Sequence, residues 1–156
     1  MRTGFRCAAI LLWLAALLAG CAAGPAELPP AQDLAQALAE RAGGREEMTR
    51  VPEKVMRKLL MVEPELLAEG ALVMDASRAT TTQFAVLTAK DEAAAKRLEE
   101  GLRAYQEAVL EQYRNYVPGE VPRIEKALIR RHGAQAVFVI CDDPALAEQV
   151  LKERWR

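Results

Sequence analysis

The stretch from Asp91 to Gly119 constrains the fold more than any other part of the chain. Ala94, Leu98, Leu102, Tyr105, Val109, Tyr113 and Tyr116 follow one another at intervals of 4, 4, 3, 4, 4 and 3 residues. That spacing draws an unbroken stripe down one face of an α-helix. Asp91 is the expected N-cap. Glu92–Lys96 and Glu99–Arg103 pair acid before base at i,i+4 on the outer side, and Pro118-Gly119 stops the pattern. A helix over Glu92–Tyr116 runs about 37 Å. In a chain of 156 residues it needs a broad apolar partner, and there is room for only one core.

Short apolar runs supply that partner. Ala71-Leu72-Val73-Met74 follows Gly70, and Gln83–Thr88 is β-branched and aromatic. A third strand is expected near Ala127–His132. His132-Gly133 turns the chain, and Gln135–Cys141 forms a fourth. Val137-Phe138-Val139-Ile140 has no polar alternation, which predicts a central strand covered on both faces. Asp143 followed by Pro144 opens a last helix, with Ala147, Val150 and Leu151 inward.

Upstream, Pro30 precedes a helix with Leu34, Ala37, Leu38 and Arg41 at helical spacing, ended by Gly43-Gly44. Its thin apolar face predicts loose attachment. Pro52 opens another helix, with Val55, Met56, Leu59 and Leu60 on one side, and a short turn runs from Pro64 through Leu67. Strand-then-helix from Gln83 to Leu98 matches Gln135 to Val150 in pattern at an offset of 52 residues, pairing Asp91 with Asp143. The expected class is α+β. Two β-β-α units would form a small four-stranded, mainly antiparallel sheet with helices on one face, preceded by N-terminal helices.

The first twenty residues read as an address. Arg2 and Arg6 precede twelve apolar residues, Ala8–Ala19, which suit a secretory h-region and fall short of a bilayer span. Leu18-Ala19-Gly20-Cys21 resembles the lipobox of bacterial lipoproteins. The resemblance implies cleavage before Cys21 and a diacylglyceryl thioether on its sulfur. Two acyl chains suffice for stable attachment to the outer face of the cell membrane. The expected organisation is a cleaved signal peptide over 1–20, a tether over 21–30 and a single domain over 31–156. Cleavage takes Lys plus Arg from 21 to 19 against 22 acids, a net charge of −3. With Cys21 acylated, Cys141 has no partner for a disulfide within the chain, so the domain stands on its hydrophobic core.

The order of parts resembles a family. A Leu-rich segment with an acidic-Pro break (Leu59 to Leu67) precedes Phe84-Ala85-Val86-Leu87. A long charged helix follows, with Tyr105 and Tyr113-Arg114-Asn115-Tyr116-Val117-Pro118. Then a His-Gly hairpin leads into Val137–Ile140. This is similar to the Gram-positive, Clostridia-type lipoprotein domain of unknown function numbered four-three-five-eight, over about residues 30–155. The resemblance implies an exported, membrane-tethered protein and brings no catalytic, cofactor-binding or metal-binding residues with it.

No catalytic motif stands out. There is no Gly-rich phosphate loop, no Gly-x-Ser-x-Gly elbow and no His-Glu-x-x-His. One histidine and three cysteines do not suit a clustered metal site, and the net charge of −1 does not suit nucleic acid. His132 reads as a solvent-facing turn residue. Cys141, beside a helix N-terminus, reads as a small buried residue, too far from His132 across the hairpin to form a dyad. Arg123, Lys126, Arg130 and Arg131 form the one basic cluster. It suits anionic headgroups or wall polymers, or equally a solvated strand edge guarded by charge.

The expected function is binding of an envelope component or a membrane-protein partner by a lipid-anchored module. An envelope hydrolase or transferase would require Asp75, Ser77 and His132 to converge in a pocket. A structural or assembly factor would expose an extensive apolar patch or self-associate.

Overall fold

Six consecutive residues, Gln135–Ile140, are all buried, because this strand lies inside a sheet with helices on both sides. The computed structural model describes residues 27–44 and 46–155. The expected leader, the expected lipobox Leu18–Cys21 and most of the expected tether lie outside the described residues.

Among the described residues five strands form one sheet. They are β1 (Met48–Arg50), β2 (Leu67–Asp75), β3 (Gln83–Ala89), β4 (Leu128–His132) and β5 (Gln135–Ile140). The spatial order is β1-β2-β3-β5-β4 and every pairing is antiparallel. The α+β class holds, and the strand count is corrected from four to five. β1 pairs Met48 with Asp75 and Arg50 with Val73. It escapes sequence reading because Met-Thr-Arg is short and mostly exposed, so no apolar alternation marks it. The hairpin between β4 and β5 turns on Gly133, whose φ of +52° suits a residue without Cβ at a two-residue loop.

The helices are α1 (Ala31–Ala42), α2 (Glu53–Leu59), α3 (Glu92–Tyr116), α4 (Val121–Glu125) and α5 (Pro144–Arg154), with a 3₁₀ turn at Pro118–Glu120. Side chains alternate across the strands, so the single core expected is instead split by the sheet into two apolar clusters, one on each face. Leu72, Ala85, Leu87, Phe138 and Ile140 meet Ala95, Leu98 and Leu102 of α3. Val73, Phe84, Val86, Val137 and Val139 meet Leu34 and Leu38 of α1 and Val150 and Leu151 of α5.

This corrects the expectation of helices on one face. A two-fold axis between β3 and β5 would generate the order β2-β3-β5-β4 and leave α3 and α5 on the same side. They lie on opposite sides, so the offset of 52 residues does not correspond to a symmetric pair of units.

Two further expectations change. α1 is not loosely held: Ala31, Leu34, Ala35 and Leu38 are fully buried, because alanines let the helix lie close on the sheet. With no side-chain cap from Pro30, the Ala31 N–H donates to Glu69 Oε1 at 3.1 Å. In α2, Met56 and the following Leu60 turn inward, whereas Val55 and Leu59 are exposed. Gly70 makes the seat for Met56, since a Cβ there would stand 2.6 Å from Met56 Cε.

α3 matches its sequence-predicted bounds. Asp91 accepts from the Ala94 N–H at 2.7 Å. Tyr105 meets Phe138 edge-on, with centroids 5.4 Å apart at 76°. The stripe outlasts the sheet, and Tyr116 is 79% exposed. No helix among the described residues is long and apolar enough to cross a membrane.

Candidate functional site

The register of the sheet gives it two ends. At one, Thr88, Gln135 and His132 lie side by side on β3, β5 and β4. At the other, Asp75, Gln83 and Ile140 close β2, β3 and β5. The two differ in chemistry.

At the Gln135 end a fully buried amide ties together residues near both ends of the described chain. Gln135 Nε2 donates to the Pro29 carbonyl and to Thr88 Oγ1, each at 2.9 Å. Its Oε1 accepts from Trp155 Nε1 at 2.7 Å. The Trp155 indole stacks on His132, with centroids 5.6 Å apart at 20°. His132 is therefore half-buried under an aromatic ring rather than a solvent-facing turn residue. Beside it lies a groove of about 250 Å³ lined by Arg130, His132, Glu148, Leu151, Lys152 and Trp155.

At the Asp75 end the chain from Asp75 to Gln83 folds around one carboxylate. Asp75 accepts from the Ser77 N–H (3.0 Å) and hydroxyl (2.8 Å), and from the Thr80 N–H (3.0 Å) and hydroxyl (3.1 Å). Burial pushes its pKa up. The donors from Thr80 and Ser77 outweigh burial and hold the carboxyl below its usual range. Thr81 donates its N–H and hydroxyl to Glu120 at 2.8 and 2.7 Å. Arg123, on α4, sits between three carboxylates: Asp142 at 2.6 Å, Glu46 at 3.4 Å and Glu120 at 3.6 Å. It also donates to Thr82 Oγ1 at 2.8 Å.

This arrangement decides several sequence-predicted roles. Ser77 spends its hydroxyl on Asp75. His132 lies five residues along the strands from the Asp75 end, about 17 Å at strand rise. The convergence of Asp75, Ser77 and His132 that an envelope hydrolase would need does not form. Cys141 is buried, and burial pushes its thiol up to about 11, so it is not a thiolate at neutral pH.

The basic cluster does not gather into one surface. Arg123 is turned inward among carboxylates. Arg130 and Arg131 are neighbours on a strand and so point to opposite faces, where Arg130 pairs with Glu148 of α5 and Arg131 with Glu99 of α3. Lys126 makes no ion pair among the described residues and lines a groove with Glu120, Arg123, Cys141 and Asp142. The residues that sequence reasoning missed are Glu46, Thr81, Thr82, Glu120 and Gln135. Their partners are up to 106 residues away along the chain, and a threonine run before a strand is indistinguishable from an ordinary polar turn. No group of His, Cys, Asp and Glu suited to a metal ion occurs among the described residues.

The chain matches the family described as Domain of unknown function (DUF4358) over residues 41–141. It belongs to that family. The match runs from the last turn of α1 to the residue after β5, shorter than the 30–155 of the sequence resemblance. The DUF4358 segment thus holds the whole sheet and the helices α2, α3 and α4. It also holds Asp75, Glu46, Glu120 and Arg123, while Pro29, Asp142 and Trp155 fall outside it. No curated protein and no solved structure gives a match.

Proposed function

We propose that this DUF4358 protein is an extracytoplasmic lipoprotein, anchored through acylated Cys21, that serves as a binding module for a membrane-protein partner or envelope component. What supports this reading most is the Gln135 clasp. It fixes Pro29 at one end of the sheet, and Cys21 precedes Pro29 by eight residues, at most about 29 Å of extended chain. A lipid on Cys21 would hold the Gln135 end close to the membrane and turn the Asp75 end away from it. The exposed 76–79 loop, braced by Asp75, would then lead into the envelope. A rigid loop on a scaffold strand is a common place for recognition.

The test is photo-crosslinking in intact membranes, with a photoreactive residue at Ala79 in one variant and at Lys152 in another. Both positions are exposed and they lie at opposite ends. The expected result is a reproducible adduct from position 79 and none of the same mass from position 152. Absence of any adduct from position 79 contradicts the reading.

A further inference from the structure

Exposed large apolar side chains are few among the described residues, and three of the five fall in one short stretch. Val55 is 41%, Leu59 38% and Met61 63% exposed. Val55 and Leu59 share a face of α2 at i,i+4, and Lys54 and Lys58 form the parallel row beside them. Arg57 pairs with Glu53 and Glu63, in the turn that follows, pairs with Arg97 of α3; among the described residues Lys54 and Lys58 have no ion pair, against one unpaired acid, Glu65. Arg57 Nε is buried without a hydrogen-bond partner in the protein. Between α2 and the turn after it lies a groove of about 460 Å³ lined by Lys54, Arg57, Lys58, Val62 and Pro64.

Met61 adds a backbone argument. It has φ +52°, and Val62 N–H donates to Arg57 O at 2.9 Å, the closure of a Schellman cap. The left-handed position in such a cap is usually glycine, because a side chain there costs about 1–2 kcal/mol. Here it carries the most exposed aliphatic side chain of the segment. Strain of this kind persists where the displayed side chain has a use.

Position in the fold says what covers the patch. Met56 of α2 packs over Gly70, beside Leu67, in the half of β2 where Glu69 caps α1 and pairs with Thr88. That is the half facing the Gln135 end, where Pro29 is fixed. We infer that α2 and Met61 form a membrane-docking surface. Val55, Leu59 and Met61 enter the outer boundary of the bilayer, and Lys54 and Lys58 hold anionic phospholipid headgroups. This deepens the lipid-anchor reading and rests on it, because the short tether from Cys21 to Pro29 keeps the patch beside the surface.

The experiment uses the full mature chain bearing a fluorescent non-canonical residue in place of Met61. It is reconstituted in vesicles of phosphatidylcholine with 30% phosphatidylglycerol and lipid-borne nitroxide quenchers. The same sample is weighed by mass spectrometry for acyl chains on residue 21. The expected result is strong quenching at position 61, lost in pure phosphatidylcholine. In Lys54→Gln/Lys58→Gln, the ratio of docked to undocked protein should fall about thirtyfold, from two headgroup contacts removed.

An acylated protein with an unquenched probe overturns the docking surface and leaves the anchor standing. A quenched probe on a chain without acyl groups supports the surface and overturns the anchor. An unquenched probe on an unacylated chain overturns both.

Discussion

Arg123→Ala is expected to cost about 2–4 kcal/mol of folding stability, whereas Lys126→Ala, three residues away, should change it by less than about 0.5 kcal/mol. Both belong to the same basic stretch of sequence, and the difference lies in what surrounds each. The Arg123 side chain is 18% exposed, as is that of Glu46, and Glu120 is 15% exposed. Removing the guanidinium leaves two carboxylates in partial burial with no cation, and takes away the partner of Asp142 and one donor to the Thr82 hydroxyl. Loss of one partner from such a group costs more than the group's net worth, because the remaining charges are already desolvated. Lys126 has exposed surroundings and no carboxylate partner within salt-bridge distance among the described residues. Urea unfolding of the two variants checks this. Equal midpoints would mean that Arg123 is a free surface cation after all, as a binding patch would require.

Asp75→Asn is expected to cost about 2–3 kcal/mol near neutral pH, and the cost should shrink in acid. An amide keeps one acceptor and replaces the other oxygen with a donor. It therefore faces the Thr80 N–H and hydroxyl with the wrong polarity. The pH dependence follows from the direction of the pKa shift. Folded Asp75 titrates below its ordinary 3.8, so the unfolded chain binds its proton first as pH falls. The stability from this carboxylate is full above 3.8 and drains away as pH drops through the folded value. Glu99 acts in the same direction. Arg103 and Arg131 hold it below its ordinary 4.5 against the opposing effect of burial. Of these two contributions to acid lability, wild type has both and Asp75→Asn keeps only that of Glu99. The gap between the unfolding free energies of the two proteins should narrow from pH 7 to pH 3. A constant gap would contradict the hydrogen-bond account of Asp75.

These two residues also mark where sequence reading stops. Local signals were legible: the Asp91 cap, the stripe of α3 to Tyr116, the Asp143-Pro144 helix start and the His132-Gly133 hairpin. Each depends on neighbours within a few positions. What was not legible depends on distance along the chain. Glu46 reaches Arg123 across 77 residues, and the side of the sheet on which a helix lands is set by a connection rather than by its own stripe. α1 read as weakly held because alanine scores as a thin apolar face, yet small side chains give the closest approach of helix to sheet. β1 carries no pattern at all, and its pairing comes from the length of β2. The family match over 41–141 agrees with the resemblance drawn from residue order. Within the site, the sequence singled out Arg123 for its charge, and the fold shows that charge spent on internal carboxylates.

Intact-mass spectrometry of the protein isolated from its native membranes bears most directly on the whole picture. If a lipid holds the Gln135 end against the bilayer, the polypeptide will begin at residue 21 and carry a diacylglyceryl mass on that cysteine. A chain that retains residues 1–20, or one with a bare sulfur at Cys21 recovered from the cytosol, would contradict it.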